Sequence, residues 1–409
     1  MATNAFGRRG AALRVPSHSL RPTTTAAVPT AALDQGAGPP AFEGTIIGNN
    51  LVADIPLLTA GLIVLLMVIF GLEKYLAFDI GKDGDLSVRS LTAFGAVSYD
   101  LVVGSGEWWR IGLAPLLHAS ASHLLGNSVA LLFVGMRLEA MVGRGWFAGI
   151  FMVSALGGVV GSLYGNPADL PSVGASGAIT GLIGALFVVS FHHRADAVEQ
   201  RAMRLTSLRF GVPALLPLAF GASGHVDYFA HAGGAIAGGA LGLALCTIWP
   251  ADGVRPKFAR SAAVAALTSL AVSIVCSCVA AGRYATYAAD AAQFIPSSEM
   301  PATFKAGTQR SAELLARYPK DPRSHLMQAF SLLDAHRPSE AEAELRKTMA
   351  LASPDAGGRL IRNHAQAILA VILVEQGRPR EAKTLATGVC HANDQVAIRR
   401  VLEKMKLCG

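Results

Sequence analysis

The sequence predicts an all-α fold: a polytopic bundle of membrane helices followed by a soluble α-helical repeat domain. Three observations predict it. The 409-residue chain is 52% hydrophobic and only 15% charged, whereas soluble proteins carry about 25% charged residues. The apolar residues form seven runs with almost no charge. After the last run, charged residues and helical periodicity return. The first part of the chain is therefore suited to lipid and the second part to water.

Each apolar run is interpreted as one membrane span, because a helix needs about 20 mostly apolar residues to cross the hydrocarbon core. The second run needs flanking residues to reach that length. The fifth is shorter and contains Pro213 and Pro217, which predicts a distorted or tilted span. The seven runs are Ile55–Leu72, Leu124–Met136, Trp146–Tyr164, Val173–Phe191, Phe210–Gly221, Tyr228–Trp249 and Ala262–Ala281.

The distribution of Lys and Arg predicts the orientation, because these residues accumulate in short cytoplasmic loops. They cluster in the amino-terminal tail and in the loops after the second, fourth and sixth spans, while Gly165–Ser172 and Ala222–Asp227 contain none. The first outer loop, with four basic residues, is an exception. The amino terminus is therefore expected in the cytoplasm, and everything after Ala281 outside.

Composition divides the chain into five segments. The amino-terminal segment has no acidic residue before Asp34, a composition that is typical of an organellar transit peptide. We instead interpret this amino-terminal segment as a disordered cytoplasmic tail, and we expect the protein to lie in a bacterial plasma membrane. The segments are the tail (1–50), a six-helix catalytic core (51–250), a loop with the seventh helix (251–283), a connector (284–300) and an extracytoplasmic helical domain (301–409).

The last segment contains two similar stretches, His325–Ala352 and Asn363–Cys390. Each reads as helix, break at Arg-Pro, then helix, and the breaks lie 41 residues apart. This pattern resembles tetratricopeptide-type repeats, although their usual period is about 34 residues. Such repeats present a concave surface, so a protein partner is expected there; a helical cap without a ligand is the alternative.

The five cysteines are Cys246, Cys276, Cys278, Cys390 and Cys408. The first three lie in predicted spans and are interpreted as packing residues. The last two can pair if their compartment is oxidising. No Cys/His spacing indicates zinc, no cofactor is expected, and no basic stripe with interleaved aromatics indicates nucleic acid.

Polar residues inside spans are costly and usually functional, and the predicted topology places four of them at the outer face. His123 and Asn127 begin the second span, Ser176 begins the fourth, and His231 lies one turn into the sixth. The i,i+4 spacing of His123 and Asn127 puts them on one helix face. Their common depth predicts a site.

The glycines around Ser176 and His231 predict that their helices touch. Gly174 permits a sharp turn before Ser176. Gly177 and Gly181 form a face of small residues, matched by Gly234 and Gly238, and such faces let membrane helices approach closely.

A serine near a histidine indicates nucleophilic catalysis, with Ser176 as nucleophile and His231 as general base. His123, Asn127 and the Ser176 N–H are candidate donors for an oxyanion hole. Asp227 lies one turn before His231 but nearer the surface, so a Ser–His dyad is predicted.

The order and spacing of these motifs resemble the rhomboid family over Leu51–Trp249. The motifs are Glu107-Trp108-Trp109-Arg110; His118, His123 and Asn127; Gly135, Leu138, Glu139 and Gly143; Gly174-Ala175-Ser176-Gly177; and Val226, Asp227, His231, Gly234 and Gly238. The resemblance implies a six-helix core and cleavage of single-span membrane proteins near the outer face.

The resemblance also implies roles for individual residues. His123 and Asn127 would form the oxyanion hole, His118 would have a more peripheral role, and a loop bearing Trp109 and Arg110 would lie partly in the outer leaflet. The chain departs from the family pattern at Thr180, where an aromatic usually packs on the catalytic imidazole. His231 is therefore expected to be held by another group or to be looser.

We therefore predict an intramembrane serine endopeptidase that acts in the lipid bilayer on single-span membrane protein substrates. Two other classes remain open. One is a catalytically dead family member that escorts membrane proteins, which Thr180 favours and the presence of Ser176 and His231 disfavours. The other is a small-solute transporter, for which inverted repeats and polar groups at the midplane are expected.

Overall fold

The computed structural model describes residues 56–81, 83–192, 197–219, 226–250, 255–353, 356–390 and 396–408. Within these residues the fold is helical, and pairing between extended residues is limited to two isolated bridges, Ile80 with Leu86 and Val97 with Ser172. The predicted all-α fold is confirmed. The tail predicted over residues 1–50 lies outside the described residues.

The first part of the described chain is a bundle of apolar helices. Five of them, α1, α3, α4, α7 and α8, are long and apolar enough to cross a membrane. The chain is thus a multi-pass membrane protein. The helices are α1 (Leu57–Leu76), α2 (Val88–Phe94), α3 (Ala121–Val142), α4 (Arg144–Gly165), α5 (Ser176–Val189), α6 (Ala197–Ala219), α7 (Tyr228–Ile248) and α8 (Ala259–Ala291).

Helices α5 and α6 differ most from the predicted spans. Helix α5 begins at Ser176 rather than at Val173 and has 14 residues, a length of about 21 Å. Ten of these residues are buried, so neighbouring helices rather than lipid surround it. Helix α6 begins at Ala197, so the predicted run from Phe210 is its second half, with Pro213 and Pro217 inside the helix.

Helix α8 is longer than predicted. It has 33 residues and continues to Ala291, ten residues beyond the predicted end at Ala281. The connector predicted from residue 284 is therefore helical in its first part. At about 1.5 Å per residue the helix measures about 50 Å, whereas the hydrocarbon core is about 30 Å thick. One end of α8 must project beyond the lipid.

Two loops position the site. Loop L1 (residues 77–120) contains α2, a π-helical turn at Asp100–Gly104 and two 3₁₀ helices, Trp108–Gly112 and Ala114–Leu116. The loop that follows the third membrane helix, α4, is called L3 (residues 166–175) and joins α4 to α5. Val97 in L1 and Ser172 in L3 exchange backbone hydrogen bonds of 3.0 and 2.8 Å, so the two loops are paired.

The buried carboxylate of Glu139 on α3 holds the start of α1. It accepts hydrogen bonds from the backbone N–H of Leu58 and Thr59 and from the Thr59 hydroxyl, at 2.7 to 3.0 Å. A carboxylate at a helix N-terminus satisfies free donors and complements the helix dipole. One turn earlier, Gly135 provides room, because a Cβ there would lie 2.8 Å from Thr59.

The second part of the chain is a stack of helices with a core of its own. Its two central hairpins, α11 with α12 and α13 with α14, turn in the same way. His336 and Gly377 occupy equivalent positions with φ of 57° and 76°, and each is followed by Arg-Pro. The helices are α9 (Phe304–Gln309), α10 (Ser311–Arg317), α11 (Pro322–Asp334), α12 (Pro338–Leu351), α13 (Ala356–Glu375), α14 (Pro379–Cys390) and α15 (Val396–Lys404).

The hairpins nevertheless differ in length, since α11 has 13 residues and α13 has 20. Beyond them, Cys390 and Cys408 form a disulfide. The bond ties the end of α14 to the segment after α15, and so closes the carboxyl end of the stack.

Candidate active site

Ser176 is the first residue of α5 and follows a sharp turn at Gly174. Gly174 has a φ of +131°, a conformation that residues with a Cβ rarely adopt. Its N–H donates to the Ala114 carbonyl at 2.8 Å, which fixes the turn against L1. The N–H groups of the first turn of a helix lack partners within the helix. Ser176 thus combines a hydroxyl with nearby backbone donors.

His123 lies directly beside this turn. A Cβ on Gly174 would lie 2.7 Å from His123 Cε1, 2.9 Å from His123 Nε2 and 3.7 Å from Ser176 Oγ. The imidazole and the hydroxyl therefore border the same small space. The side chain of Ser120, the N-cap of α3, accepts a hydrogen bond from the His123 N–H at 3.1 Å, which fixes the start of the helix that carries His123.

Asn127 is positioned by a chain of buried polar groups. Its Nδ2 lies 3.0 Å from Nε2 of His118. An amide nitrogen has two hydrogens, so one remains for another acceptor. The His118 ring is fully buried and lies edge-on to His123, 5.1 Å between centroids. The His118 N–H donates to the Glu73 carboxyl group at 3.2 to 3.3 Å.

Helices α5 and α7 touch through their backbones. A Cβ on Gly234 would lie 1.8 Å from the Gly177 carbonyl oxygen, and one on Gly238 would lie 2.0 Å from the Gly181 carbonyl oxygen. No side chain fits between them. The two glycine faces therefore bring the start of α5 against the first turns of α7.

His231 is held by helix α6. Its Nδ1 lies 2.9 Å from the Ala214 carbonyl oxygen, and Ala214 lies between the two prolines of α6. A carbonyl oxygen only accepts hydrogen bonds, so Nδ1 carries the hydrogen. In a neutral imidazole Nε2 is then the free acceptor. The Tyr228 ring lies edge-on to the imidazole, 5.9 Å between centroids.

Thr180 replaces the expected aromatic with a hydroxyl that binds backbone. Its Oγ1 lies 2.9 Å from the Gly177 carbonyl and 3.0 Å from the His231 carbonyl. Thr180 thus fixes the backbone of His231, while Ala214 and Tyr228 contact its imidazole ring. Thr180 also borders an apolar cleft of about 850 Å³ between α5, α6 and α7.

Ser176 and His231 occupy facing helix ends but share no direct hydrogen bond among the contacts of the described residues. The bond from Thr180 to the His231 carbonyl places the His231 backbone within one turn of Ser176 along α5. Hydrogen bonds at catalytic sites often form only when substrate is bound.

The Asp227 carboxylate binds groups other than the imidazole. It is the N-cap of α7, accepting from the Ala230 N–H at 2.8 Å, and it accepts from the Ser172 hydroxyl at 2.6 Å. Asp227 therefore joins L3 to the start of α7.

Trp109 and Arg110 lie on the first 3₁₀ helix of L1. Arg110 is fully buried and its guanidinium binds Glu107 and the Ala96 carbonyl. The Arg110–Glu107 pair therefore holds the segments of L1 together.

A cleft of about 280 Å³ opens beside Ser176. Its walls come from L1, α4, L3, α5 and α7, and include Pro115, Ser162, Gly174 and Gly177.

Three contributors to this site were missed from the sequence. The Ala214 carbonyl has no side-chain signature. Glu73 lies one residue beyond the predicted run Ile55–Leu72 but inside helix α1, and an acid within a membrane helix is itself a signal of function. Tyr287, which binds the Glu107–Arg110 pair, lies in the segment predicted as a connector.

Comparison with known proteins supports the rhomboid family. Residues 105–248 match the family described as "Rhomboid domain". The chain is 36% identical over 165 residues to the rhomboid protease GluP of Bacillus subtilis, covering 39% of this chain and 31% of that protein. It is 37% identical over 185 residues to RHOMBOID-like protein 1 of Arabidopsis thaliana, covering 44% and 45%.

A third relative, the rhomboid protease AarA of Providencia stuartii, is 30% identical over 179 residues, covering 39% of this chain and 63% of that protein. The chain thus spans about a third to two thirds of the length of these relatives. No solved structure matches.

Proposed function

We propose that this chain, whose residues 105–248 match the Rhomboid domain family, is an intramembrane serine endopeptidase that works by a Ser176–His231 dyad. One observation carries the proposal. Ser176 begins α5 where α5 and α7 touch backbone to backbone, and its hydroxyl shares the space at Gly174 with the His123 ring. These contacts support a site in which the Ser176 hydroxyl, the His123 ring and the first turns of α5 and α7 lie close together.

The geometry supports the following chemistry. Nε2 of His231 takes the proton from Ser176 Oγ as the oxygen attacks the carbonyl carbon of the scissile bond. The tetrahedral oxyanion is stabilised by the Ser176 N–H, the free hydrogen of Asn127 Nδ2 and His123. The imidazolium then gives its proton to the leaving amine, and water repeats the sequence on the acyl-enzyme. Each donor in such a hole lowers the activation barrier by about 3 kcal/mol.

The substrate class follows from the site's setting in a membrane bundle. We propose single-span membrane proteins whose helix unwinds near the outer face. A backbone must leave its helical hydrogen bonds before Ser176 can reach it, so Gly, Pro or small residues there favour cleavage.

The proposed topology places the amino terminus in the cytoplasm and the second part of the chain outside, in a bacterial plasma membrane. The disulfide between Cys390 and Cys408 supports an oxidising location for that part. A membrane-impermeant maleimide should label both residues in intact cells only after reduction with an impermeant phosphine. Labelling that required cell lysis would contradict this topology.

The second part of the chain is proposed to bind a substrate ectodomain or a protein partner as a tetratricopeptide-like stack. The repeated turn at His336 and Gly377 supports this. Deleting Pro301–Gly409 should then reduce cleavage of the native substrate more than that of a generic one. Equal losses would reject the proposal.

A catalytically dead escort of membrane proteins is the second candidate. Two observations favour it: Thr180 stands where the family has an aromatic, and Ser176 shares no direct hydrogen bond with His231 in the described structure. The deciding experiment incubates purified protein with a panel of single-span substrates and with a fluorophosphonate probe. Wild type should cleave and take the label, whereas Ser176→Ala should do neither. A wild-type protein inert to both reagents would reject the protease.

A further inference from the structure

The outer end of α8 is bound into loop L1 by polar contacts. Tyr284 stacks on Phe94 of L1, 6.2 Å between centroids, and its hydroxyl donates to the Leu76 carbonyl at the end of α1. Arg283, the residue before Tyr284, and Tyr287, one turn after it, both contact the carboxylate of Glu107. The part of α8 that exceeds the lipid thickness is therefore held by protein.

The centre of these contacts is a buried ion pair. Arg110 Nε donates to Glu107 Oε2 at 2.7 Å, and Arg110 is fully buried while Glu107 is 7% exposed. The Tyr287 hydroxyl accepts from Arg110 Nη2 at 2.6 Å and donates to Glu107 at 2.9 Å. A buried pair with an unsatisfied donor or acceptor is strongly destabilised, so this hydroxyl completes the pair from a different helix.

Apolar contacts reinforce the same junction. The 3₁₀ helix that carries Trp109 and Arg110 approaches α8 closely at Gly112, where a Cβ would lie 2.9 Å from Cys276 Sγ. Trp109 packs on Cys276 and Ala280 of α8. The 3₁₀ helix is thus seated on α8 on both sides of Arg110.

The junction is a few residues from the nucleophile. Arg110 fixes Ala96 through its carbonyl at 3.0 Å, and the next residue, Val97, pairs with Ser172 of L3. On the other side of Arg110, the Ala114 carbonyl accepts the Gly174 N–H at 2.8 Å. Both routes end in the segment that presents Ser176.

We infer that Tyr287 is a positioning residue: from α8 it completes the Glu107–Arg110 pair, fixes L1, and through L1 sets the Gly174 turn that presents Ser176. The inference rests on the proposed function. Helix α8, the seventh predicted span, would then shape the active site although α8 itself contributes no group that touches substrate. If α8 acted by packing alone, only the aromatic ring of Tyr287 would matter for activity. In the proposed role its hydroxyl is required as well.

The test compares two Tyr→Phe variants on the same helix in the full chain. Tyr287→Phe removes the hydroxyl bound to Glu107 and Arg110, and Tyr284→Phe removes the one bound to Leu76. We measure kcat and KM with a single-span substrate, the rate of Ser176 labelling by a fluorophosphonate, thermal unfolding, and hydrogen exchange of residues 107–117.

Tyr287→Phe should lower kcat and the labelling rate about tenfold or more, as expected for a lost hydrogen bond to charged groups. KM should hardly change, the unfolding temperature should fall because the buried pair loses a partner, and exchange in residues 107–117 should become faster. Tyr284→Phe should match wild type in kcat and in exchange at residues 107–117.

Two results would overturn the inference: unchanged exchange in Tyr287→Phe, or faster exchange with an unchanged kcat. Equal falls in kcat for both variants, in proportion to lost thermal stability, would also overturn it. A wild-type chain that neither cleaves nor takes the label would reject the proposed function instead, and the exchange comparison would still judge the contact between α8 and L1.

Discussion

Nδ1 of His231 lies 2.9 Å from the carbonyl oxygen of Ala214, in the position that a carboxylate occupies in a Ser–His–Asp triad. Both acceptors fix the same tautomer, with the hydrogen on Nδ1 and Nε2 free to accept a proton. The carbonyl, however, has no full negative charge with which to stabilise the imidazolium. The main contribution of Ala214 is therefore orientation, and other contacts must keep His231 in register with Ser176.

Thr180→Val tests whether Thr180 supplies one of those contacts. Valine has nearly the same shape but lacks the hydroxyl that binds the His231 and Gly177 carbonyls. Loss of the hydroxyl's hydrogen bonds should raise the activation free energy by about 1 kcal/mol, so kcat should fall about fivefold. Thr180→Ser keeps the hydroxyl and should stay close to wild type. Equal kcat in the two variants would show that Thr180 does not hold His231.

His118 is expected to act through Asn127, because the two side chains share a hydrogen bond of 3.0 Å. Asn127→Ala should lower kcat about 100-fold or more by removing an oxyanion donor. His118→Ala should lower it less, about tenfold, because the amide remains but loses its fixed orientation. The double variant should be no slower than Asn127→Ala, since the His118 contribution needs the amide.

Steady-state kinetics of the four proteins completes this cycle. Thermal unfolding of each variant separates catalytic loss from unfolding, since His118 is buried. If the two effects multiplied, His118 would contribute independently of Asn127.

Much of the site could be predicted from the sequence because its parts have local signatures. The spans follow from apolar runs, the common depth of Ser176 and His231 from the order of the spans, and the contact of α5 with α7 from glycine spacing. The chemical roles of these residues remain predictions.

What could not be predicted depends on contacts between distant segments. Helix α8 continues past Ala281 because Tyr284 and Tyr287 bind L1, nearly 180 residues earlier in sequence, and no local pattern signals that. The Ala214 carbonyl was missed because every residue carries the same group. Helix α5 is short because other helices enclose it, a property of packing that hydropathy does not record.

Glu342 makes the helical stack outside the bundle sensitive to acid. It accepts from Arg346 at 2.7 Å and from Arg378 at 2.8 Å, which joins α12 to the start of α14. Burial alone would raise the pKa of Glu342, but these two hydrogen bonds outweigh it and hold the pKa below its ordinary value. The stabilisation is therefore complete above the ordinary carboxyl pKa and is lost as pH falls through the lowered folded value.

Glu342→Gln should reduce the hydrogen-exchange protection of α14 at pH 7 by up to about 1 kcal/mol. The difference from wild type should vanish well below the ordinary Glu pKa of about 4.3, where the wild-type side chain is also neutral. Glu403→Gln, which breaks an exposed pair with Arg399, should change little at either pH. A difference that persisted in acid would mean that shape, not charge, holds the two helices.

The closeness of α5 and α7 can be tested with two neighbouring glycines of α7. A Cβ on Gly238 would lie 2.0 Å from the Gly181 carbonyl oxygen, whereas one on Gly239 would meet nothing within 4 Å. Gly238→Ala must push the helices apart, at a cost of about 1 to 3 kcal/mol, and so draw His231 away from Ser176. Gly239→Ala adds the same methyl group to the same helix without a contact. We therefore expect a lower unfolding temperature and a loss of fluorophosphonate labelling only in Gly238→Ala. If both variants kept wild-type labelling, the approach of the two helices would not be what brings the nucleophile and the base together.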